Sequence, residues 1–194
     1  MSFLSQVRAT PNLLTLLRLF IVPFIVIEIL YGNYRLAFAL FLLAGISDAL
    51  DGLLARWLQQ KTTLGQYLDP LADKLLLSTL FLVLTHVGAV PRYVTVLVFS
   101  RDFGIMLIAA VLYMTGALRD FRPSPLGKLN TVVQIFGLVT VLAEKACADA
   151  GWPAAGWLSP VSATTLRVIA VLAPVSAAQY GWVVLRRIDT PAAV

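Results

Sequence analysis

Asp48-Ala49-Leu50-Asp51-Gly52-Leu53-Leu54-Ala55-Arg56, then Gly65, Asp69 and Asp73, is the stretch on which the reading of this chain turns. Four of its ten acidic residues fall there, inside segments that are otherwise apolar. Asp48 and Asp51 are three apart and Asp69 and Asp73 four apart, spacings that put each pair on one face of a helix. The turn between them, 57–64, is short enough to fold the two faces together, so that four oxygen donors converge at one depth. A carboxylate at the centre of a membrane helix costs about 2.5–3.5 kcal/mol, and four are kept only if something repays them.

The surroundings of that stretch define the solvent. The 194 residues are 59% hydrophobic and 13% charged, with mean hydropathy +0.86. A soluble domain of this size needs more polar surface than that. Apolar runs of the length that crosses about 30 Å of hydrocarbon recur along the chain. They predict an all-α integral membrane domain over residues 1–194 with six spans, at 12–31, 36–58, 66–87, 92–116, 127–147 and 161–185. A short interfacial helix is expected over Ser2 to Ala9. The first apolar run is too long for a cleavable signal peptide and is followed by more spans. Cys147 and His86 are each the sole residue of their type, which excludes an internal disulfide and zinc sites built from cysteine or histidine clusters.

With six spans, one side collects Arg8, Arg18, Arg56, Lys61, Arg119, Arg122, Lys128, Arg186 and Arg187, and the other chiefly Arg35 and Arg92. Excess Lys and Arg mark the cytoplasmic face, so both termini and the aspartates are expected there, in the inner (cytoplasmic) cell membrane. The formal charge of +5 reads both as topology and as attraction for anionic headgroups and phosphates.

Mutually close carboxylates repel one another unless a cation sits among them. Hard divalent ions with oxygen ligands, Mg²⁺ or Mn²⁺, suit this set, and a pair of them favours in-line phosphoryl displacement. The plainer alternative is a group of helix-capping, salt-bridging aspartates; capping does not need both pairs at one depth. Gly45, Ala49, Gly52 and Ala55 run along span two and permit close helix packing or a shallow groove. Arg56, one turn beyond Asp51 and Gly52, is placed to fork onto a diphosphate.

From Asp48 to Asp73 every fixed residue and every spacing resembles the signature of the CDP-alcohol phosphatidyltransferases. Pro11-Asn12-Leu13-Leu14-Thr15-Leu16-Leu17-Arg18 at the entry to span one extends the resemblance. It implies a two-metal centre on Asp48, Asp51 and Asp69 with Asp73 contributing, and Asp73 as general base for an acceptor hydroxyl. Gly52, Ala55, Arg56 and Gly65 would line the CDP pocket. The implied reaction is attack of that hydroxyl on CDP-diacylglycerol with loss of CMP, in a protein that forms homodimers.

The acceptor is read at span five. Phosphatidylglycerophosphate synthases, which this chain resembles, typically carry Gly-Lys-x-Lys-Thr there; here it is Gly127-Lys128-Leu129-Asn130-Thr131. One cation fewer disfavours dianionic glycerol 3-phosphate more than the phosphodiester of phosphatidylglycerol. The eukaryotic-type cardiolipin synthases look like this chain in Lys128, Asn130, Thr131 and Gln134, and around Ser100-Arg101-Asp102. Phosphatidylglycerol is therefore the expected acceptor and cardiolipin the product, with glycerol 3-phosphate as the alternative. Arg101, Arg119, Arg122, Lys128 and Asn130 are the candidate acceptor or phosphate contacts. Arg101 with Asp102 reads equally as a buried ion pair tying helices together. Arg18 reads either as a further phosphate contact or as a side chain snorkelling to the interface.

His86, Glu28 and the four tryptophans read as interfacial or helix-contact residues. A small divalent-ion transporter is the competing class, but its polar groups should continue across the membrane. Here the acidic pairs lie toward one side. Nothing in the charge pattern calls for a nucleic-acid partner.

Overall fold

A computed structural model describes residues 10–57, 63–114 and 125–188. Among these it forms six helices and no strand: α1 (Thr10–Leu30), α2 (Tyr34–Trp57), α3 (Thr63–His86), α4 (Arg92–Met114), α5 (Pro125–Asp149) and α6 (Ala154–Ile188). The expected interfacial helix over Ser2 to Ala9 lies outside the described residues. The helix ends fall within a few residues of the expected spans except at α6, which begins at Ala154 rather than 161. The residues between the expected fifth and sixth spans include Gly151, Pro153 and Pro160. Only the turn at Gly151 interrupts the helix, and Pro160 is accommodated within α6.

Three short turns share one design. In each, a glycine with positive φ (Gly32 at 81°, Gly88 at 75°, Gly151 at 66°) follows the helix end. Its N–H donates three residues back, and the next N–H donates five back: Gly32 to Ile29 and Asn33 to Glu28, Gly88 to Thr85 and Ala89 to Leu84, Gly151 to Ala148 and Trp152 to Cys147. This is the Schellman arrangement, which satisfies the last carbonyls and needs the left-handed backbone glycine adopts without a Cβ penalty. Side chains reinforce the same turns. Asn33 donates to Glu28 at 2.9 Å, and Arg35 pairs with Asp149 at 2.9 Å, linking the start of α2 to the end of α5.

The core is assembled from positions three and four apart: Ile21, Ile25 and Ile29 on α1, Ala37, Phe41 and Ala44 on α2, Leu80 and Leu84 on α3, Val94 and Val98 on α4, and Leu138 and Leu142 on α5. Such spacing lines one helical face. α1 packs on α2 and α3, α2 on α5, and α6 on both α4 and α5. The α5–α6 approach is close: a Cβ on Gly137 would lie 2.6 Å from Ile169 Cδ1.

The outward faces are apolar too. Phe20, Ile46, Leu82, Phe103, Val132 and Val171, one from each helix, are all more than half exposed. A water-soluble bundle would put charge on that face. Two helical segments, Pro125–Asp149 and Ala154–Val184, are long and apolar enough to cross a membrane among the described residues.

Candidate active site

The helices bring the acidic stretch against α1 and α4. Asp48 reaches inward from α2 and Asp73 from α3, and the two meet on a single side chain of α1. Arg18 Nη2 lies 2.5 Å from Asp48 Oδ1, and Arg18 Nη1 lies 2.5 Å from Asp73 Oδ1. The arginine is 1% exposed while both aspartates are nearly half exposed. One guanidinium fork thus joins three helices, with a different carboxylate on each arm. A buried cation is tolerated only when paired in this way.

Of the other signature positions, Asp51, Gly52, Ala55 and Arg56 lie on α2, and Gly65 and Asp69 lie on α3. Their side chains are outside the described set, as are Arg119 and Arg122 altogether. Among the described residues no group of three or more potential metal ligands is assembled; two of the four expected ligands are not in that set. The pair that is described fits a hard divalent ion. Asp48 and Asp73 come from different helices, share one guanidinium, and offer only oxygen donors.

Lys74 follows Asp73 and, roughly 100° further round the helix, points to α4. Its Nζ lies 2.8 Å from Asp102 Oδ2. The other oxygen of Asp102 accepts from Arg101 Nη1 at 2.7 Å, and Arg101 Nε donates to Ser176 Oγ of α6 at 3.3 Å. Arg101 and Asp102 each have side chains 12% exposed. The buried ion-pair reading of Arg101 is therefore observed, and the pair also forms a wall. A cavity of about 170 Å³ lies beside it, lined by Asp73, Lys74, Leu77, Ser78, Phe81, Val98, Arg101, Asp102, Thr131 and Gln134.

Lys128 is exposed near the start of α5. Asn130 is fully buried, with neither amide atom hydrogen-bonded, and is not among the cavity-lining residues. Two participants were not marked by sequence reasoning. Lys74 lies outside the signature positions, and Gln134 enters the sequence reading only beside Lys128, Asn130 and Thr131. Arg18 had been weighed as a phosphate contact or a snorkelling side chain, and its burial between two aspartates is neither. The signal for it was available: a basic residue eight positions into an apolar helix, facing a bundle that carries carboxylates.

The chain is similar to known proteins over most of its length. Residues 8–175 match the family described as CDP-alcohol phosphatidyltransferase. The chain is 38% identical to the cardiolipin synthase (CMP-forming) of Rattus norvegicus, over 69% of this chain and 49% of that protein. It is 35% identical to a probable phosphatidylglycerophosphate synthase of Mycobacterium tuberculosis (strain CDC 1551 / Oshkosh), over 67% of this chain and 64% of that protein. It is 32% identical to the CDP-diacylglycerol–glycerol-3-phosphate 3-phosphatidyltransferase of Bacillus subtilis (strain 168), over 68% and 75% respectively. The matched region thus spans about half the length of the mammalian relative. The match over residues 8–175, with two of the signature aspartates gathered on Arg18, makes this chain a member of the CDP-alcohol phosphatidyltransferase family.

Proposed function

We propose that the protein transfers a phosphatidyl group from CDP-diacylglycerol to the glycerol headgroup of phosphatidylglycerol, giving cardiolipin and CMP. The observation that carries this reading is the convergence of Asp48 and Asp73, from two helices, beside a cavity walled by Lys74 and Arg101. The carboxylates suit a metal-bound diphosphate; the cationic wall suits an acceptor that carries a phosphate.

Asp48, Asp51, Asp69 and Asp73 would hold Mg²⁺ or Mn²⁺. When bound, two such ions neutralise the diphosphate and the charge that builds on its leaving oxygens. The chain's own residues supply the rest. Asp73 lines the cavity, where its carboxylate can take the proton of an acceptor hydroxyl. That hydroxyl oxygen forms a bond to the phosphatidyl phosphorus as the bond from phosphorus to the CMP oxygen breaks. Gly52, Ala55, Arg56 and Gly65 would line the CDP pocket, with the Arg56 fork on phosphate. Arg101, Arg119, Arg122 and Lys128 would attract the acceptor phosphate, and Asn130 would limit the charge there.

The same reading places all six helices across the cytoplasmic membrane, termini and site facing the cytoplasm. Outward apolar residues on every helix support the spans, and the distribution of Lys and Arg supports the orientation. A homodimer belongs to the reading on the strength of the family resemblance. Family membership leaves the transporter alternative without support. Glycerol 3-phosphate remains a second acceptor reading, favoured by the names of the mycobacterial and Bacillus relatives.

The test is a CMP-release assay on purified protein with CDP-diacylglycerol and Mg²⁺ or Mn²⁺, offering phosphatidylglycerol and glycerol 3-phosphate separately and identifying products by mass. Cardiolipin from phosphatidylglycerol is the expected result. Release only with glycerol 3-phosphate would keep the chemistry and transfer the assignment to the second reading. No release with either would overturn both.

A further inference from the structure

The wall beside the cavity of about 170 Å³ is built around one carboxylate. Asp102 gives one oxygen to Lys74 Nζ at 2.8 Å and the other to Arg101 Nη1 at 2.7 Å. Arg101 is fixed a second time, its Nε donating to Ser176 Oγ at 3.3 Å. Arg101 and Asp102 have side chains only 12% exposed, so water screens these charges poorly. Two cations drawn from α3 and α4 would repel each other there if the carboxylate were absent. Asp102 therefore holds the pair together and also subtracts one charge from it.

The charge that the wall presents follows from its members. Two cations and one carboxylate leave a single net positive charge. Ser78, Thr131 and Gln134, which also line the cavity, are neutral. Asp73 is charged but is paired with Arg18 in the other network. The positive charge stays within reach of a ligand: Lys74 is half exposed, and Asp102 takes one of the three N–H groups of its ammonium. A phosphodiester brings one negative charge, which such a wall matches. A phosphate monoester brings nearly two, and its second charge finds no counter-ion in the wall.

We propose that Asp102 is a specificity-determining residue that sets the acceptor wall at one net positive charge, and so selects a phosphodiester monoanion over a phosphate dianion. The inference rests on the transferase reading above and deepens it. Lys74 and Arg101 attract a phosphate, and Asp102, acting through them, decides its ionic class.

Two probes with the same glycerol test this because they differ by one charge. Glycerol 3-phosphate is a dianion at about pH 8, and glycerophosphomethanol, its methyl diester, is a monoanion. Each is titrated into protein supplied with CDP-diacylglycerol, phosphatidylglycerol and Mn²⁺, and its apparent affinity is read as an acceptor or as a competitor. Wild type should favour the diester by a few-fold. Asp102→Asn raises the wall to two charges and should move the ratio of affinities toward the dianion by about tenfold, the scale of one close charge partly screened by water. Adding Lys74→Met to Asp102→Asn returns the wall to one charge and should restore the wild-type ratio. Asp102→Glu, which keeps the charge, should keep the ratio. A purely structural role would weaken both probes together, so an unchanged ratio in Asp102→Asn would overturn the proposal. A wild-type preference for glycerol 3-phosphate would overturn it too, and that result needs no variant to fold. In both cases continued CMP release leaves the transferase reading standing. Wild-type silence with phosphatidylglycerol and with both probes removes that reading, and this inference falls with it.

Discussion

Asp73 and Lys74 are neighbours in sequence and belong to opposite kinds of site. On the α1 side, two half-exposed carboxylates face one buried guanidinium, a surplus of negative charge. On the α4 side, two cations face one largely buried carboxylate, a surplus of positive charge. On the proposed function, the first arrangement would take a cation and the second an anion. A single helical step on α3 separates them, which would set a metal-bound diphosphate beside a phosphate-bearing alcohol. The two networks also differ in how their cations are shared: Asp48 and Asp73 both pair with Arg18, whereas Asp102 pairs with Lys74 and Arg101 and keeps a partner when either is lost.

The largest effect should come from the residue that borders both. Asp73→Asn removes a carboxylate from Arg18 and the base from the cavity. CMP release should fall about 10³-fold, within the range for loss of a general base, in protein that still elutes as a monodisperse species in detergent. Near-normal turnover would remove Asp73 from the mechanism.

Arg18→Gln should separate the sites by their response to metal. Without the guanidinium, Asp48 and Asp73 lose their shared counter-ion. The midpoint of thermal unfolding in EDTA should drop by several degrees, reflecting about 1–2 kcal/mol once the exposure of both aspartates is allowed for. Saturating Mn²⁺ should restore most of it. A drop that Mn²⁺ leaves unchanged would mean that Arg18 serves packing alone.

Lys74→Met should do the converse. Asp102 retains Arg101, so the stabilisation by Mn²⁺ should match wild type, while the acceptor KM rises several-fold as one cation leaves the wall. An altered metal response with an unchanged acceptor KM would exchange the roles given to the two networks.

The smallest effect is expected at Asn130. Replacement by Lys should shift acceptor preference toward glycerol 3-phosphate by a few-fold, since a dianion rewards added positive charge. The position is fully buried, so the new ammonium must extend to a polar neighbour, and some loss of stability should accompany the shift. An unchanged preference would count against the charge argument for the acceptor.

Much of this was legible in the sequence. The helices follow from apolar run length, and three of the breaks from Gly32, Gly88 and Gly151, where only glycine meets the turn without strain. The spacing of the aspartates suggested that α2 and α3 face each other directly, whereas Asp48 and Asp73 meet through Arg18 of α1, which packs on both helices. Arg18 was legible as an anomaly but not as a bridge. Its partners are 30 and 55 positions away, and no local periodicity reports which face of α1 meets which face of α3. Lys74 was hidden for a related reason: adjacent helical residues diverge, so its proximity to Asp73 in sequence said nothing about Asp102. α6 starts ahead of the expected position because the chain after the Gly151 cap continues as helix through Pro160.

The central claim is that the acidic stretch forms a divalent-metal centre driving phosphatidyl transfer. Its most direct test is CMP release from CDP-diacylglycerol and phosphatidylglycerol as a function of free Mn²⁺, in wild-type protein and in Asp69→Asn, beginning from EDTA-treated samples. Wild type should be silent in EDTA and saturate with added Mn²⁺, while Asp69→Asn stays inactive at every concentration though folded in detergent. Release that persists in EDTA, or normal turnover in Asp69→Asn, would contradict the account.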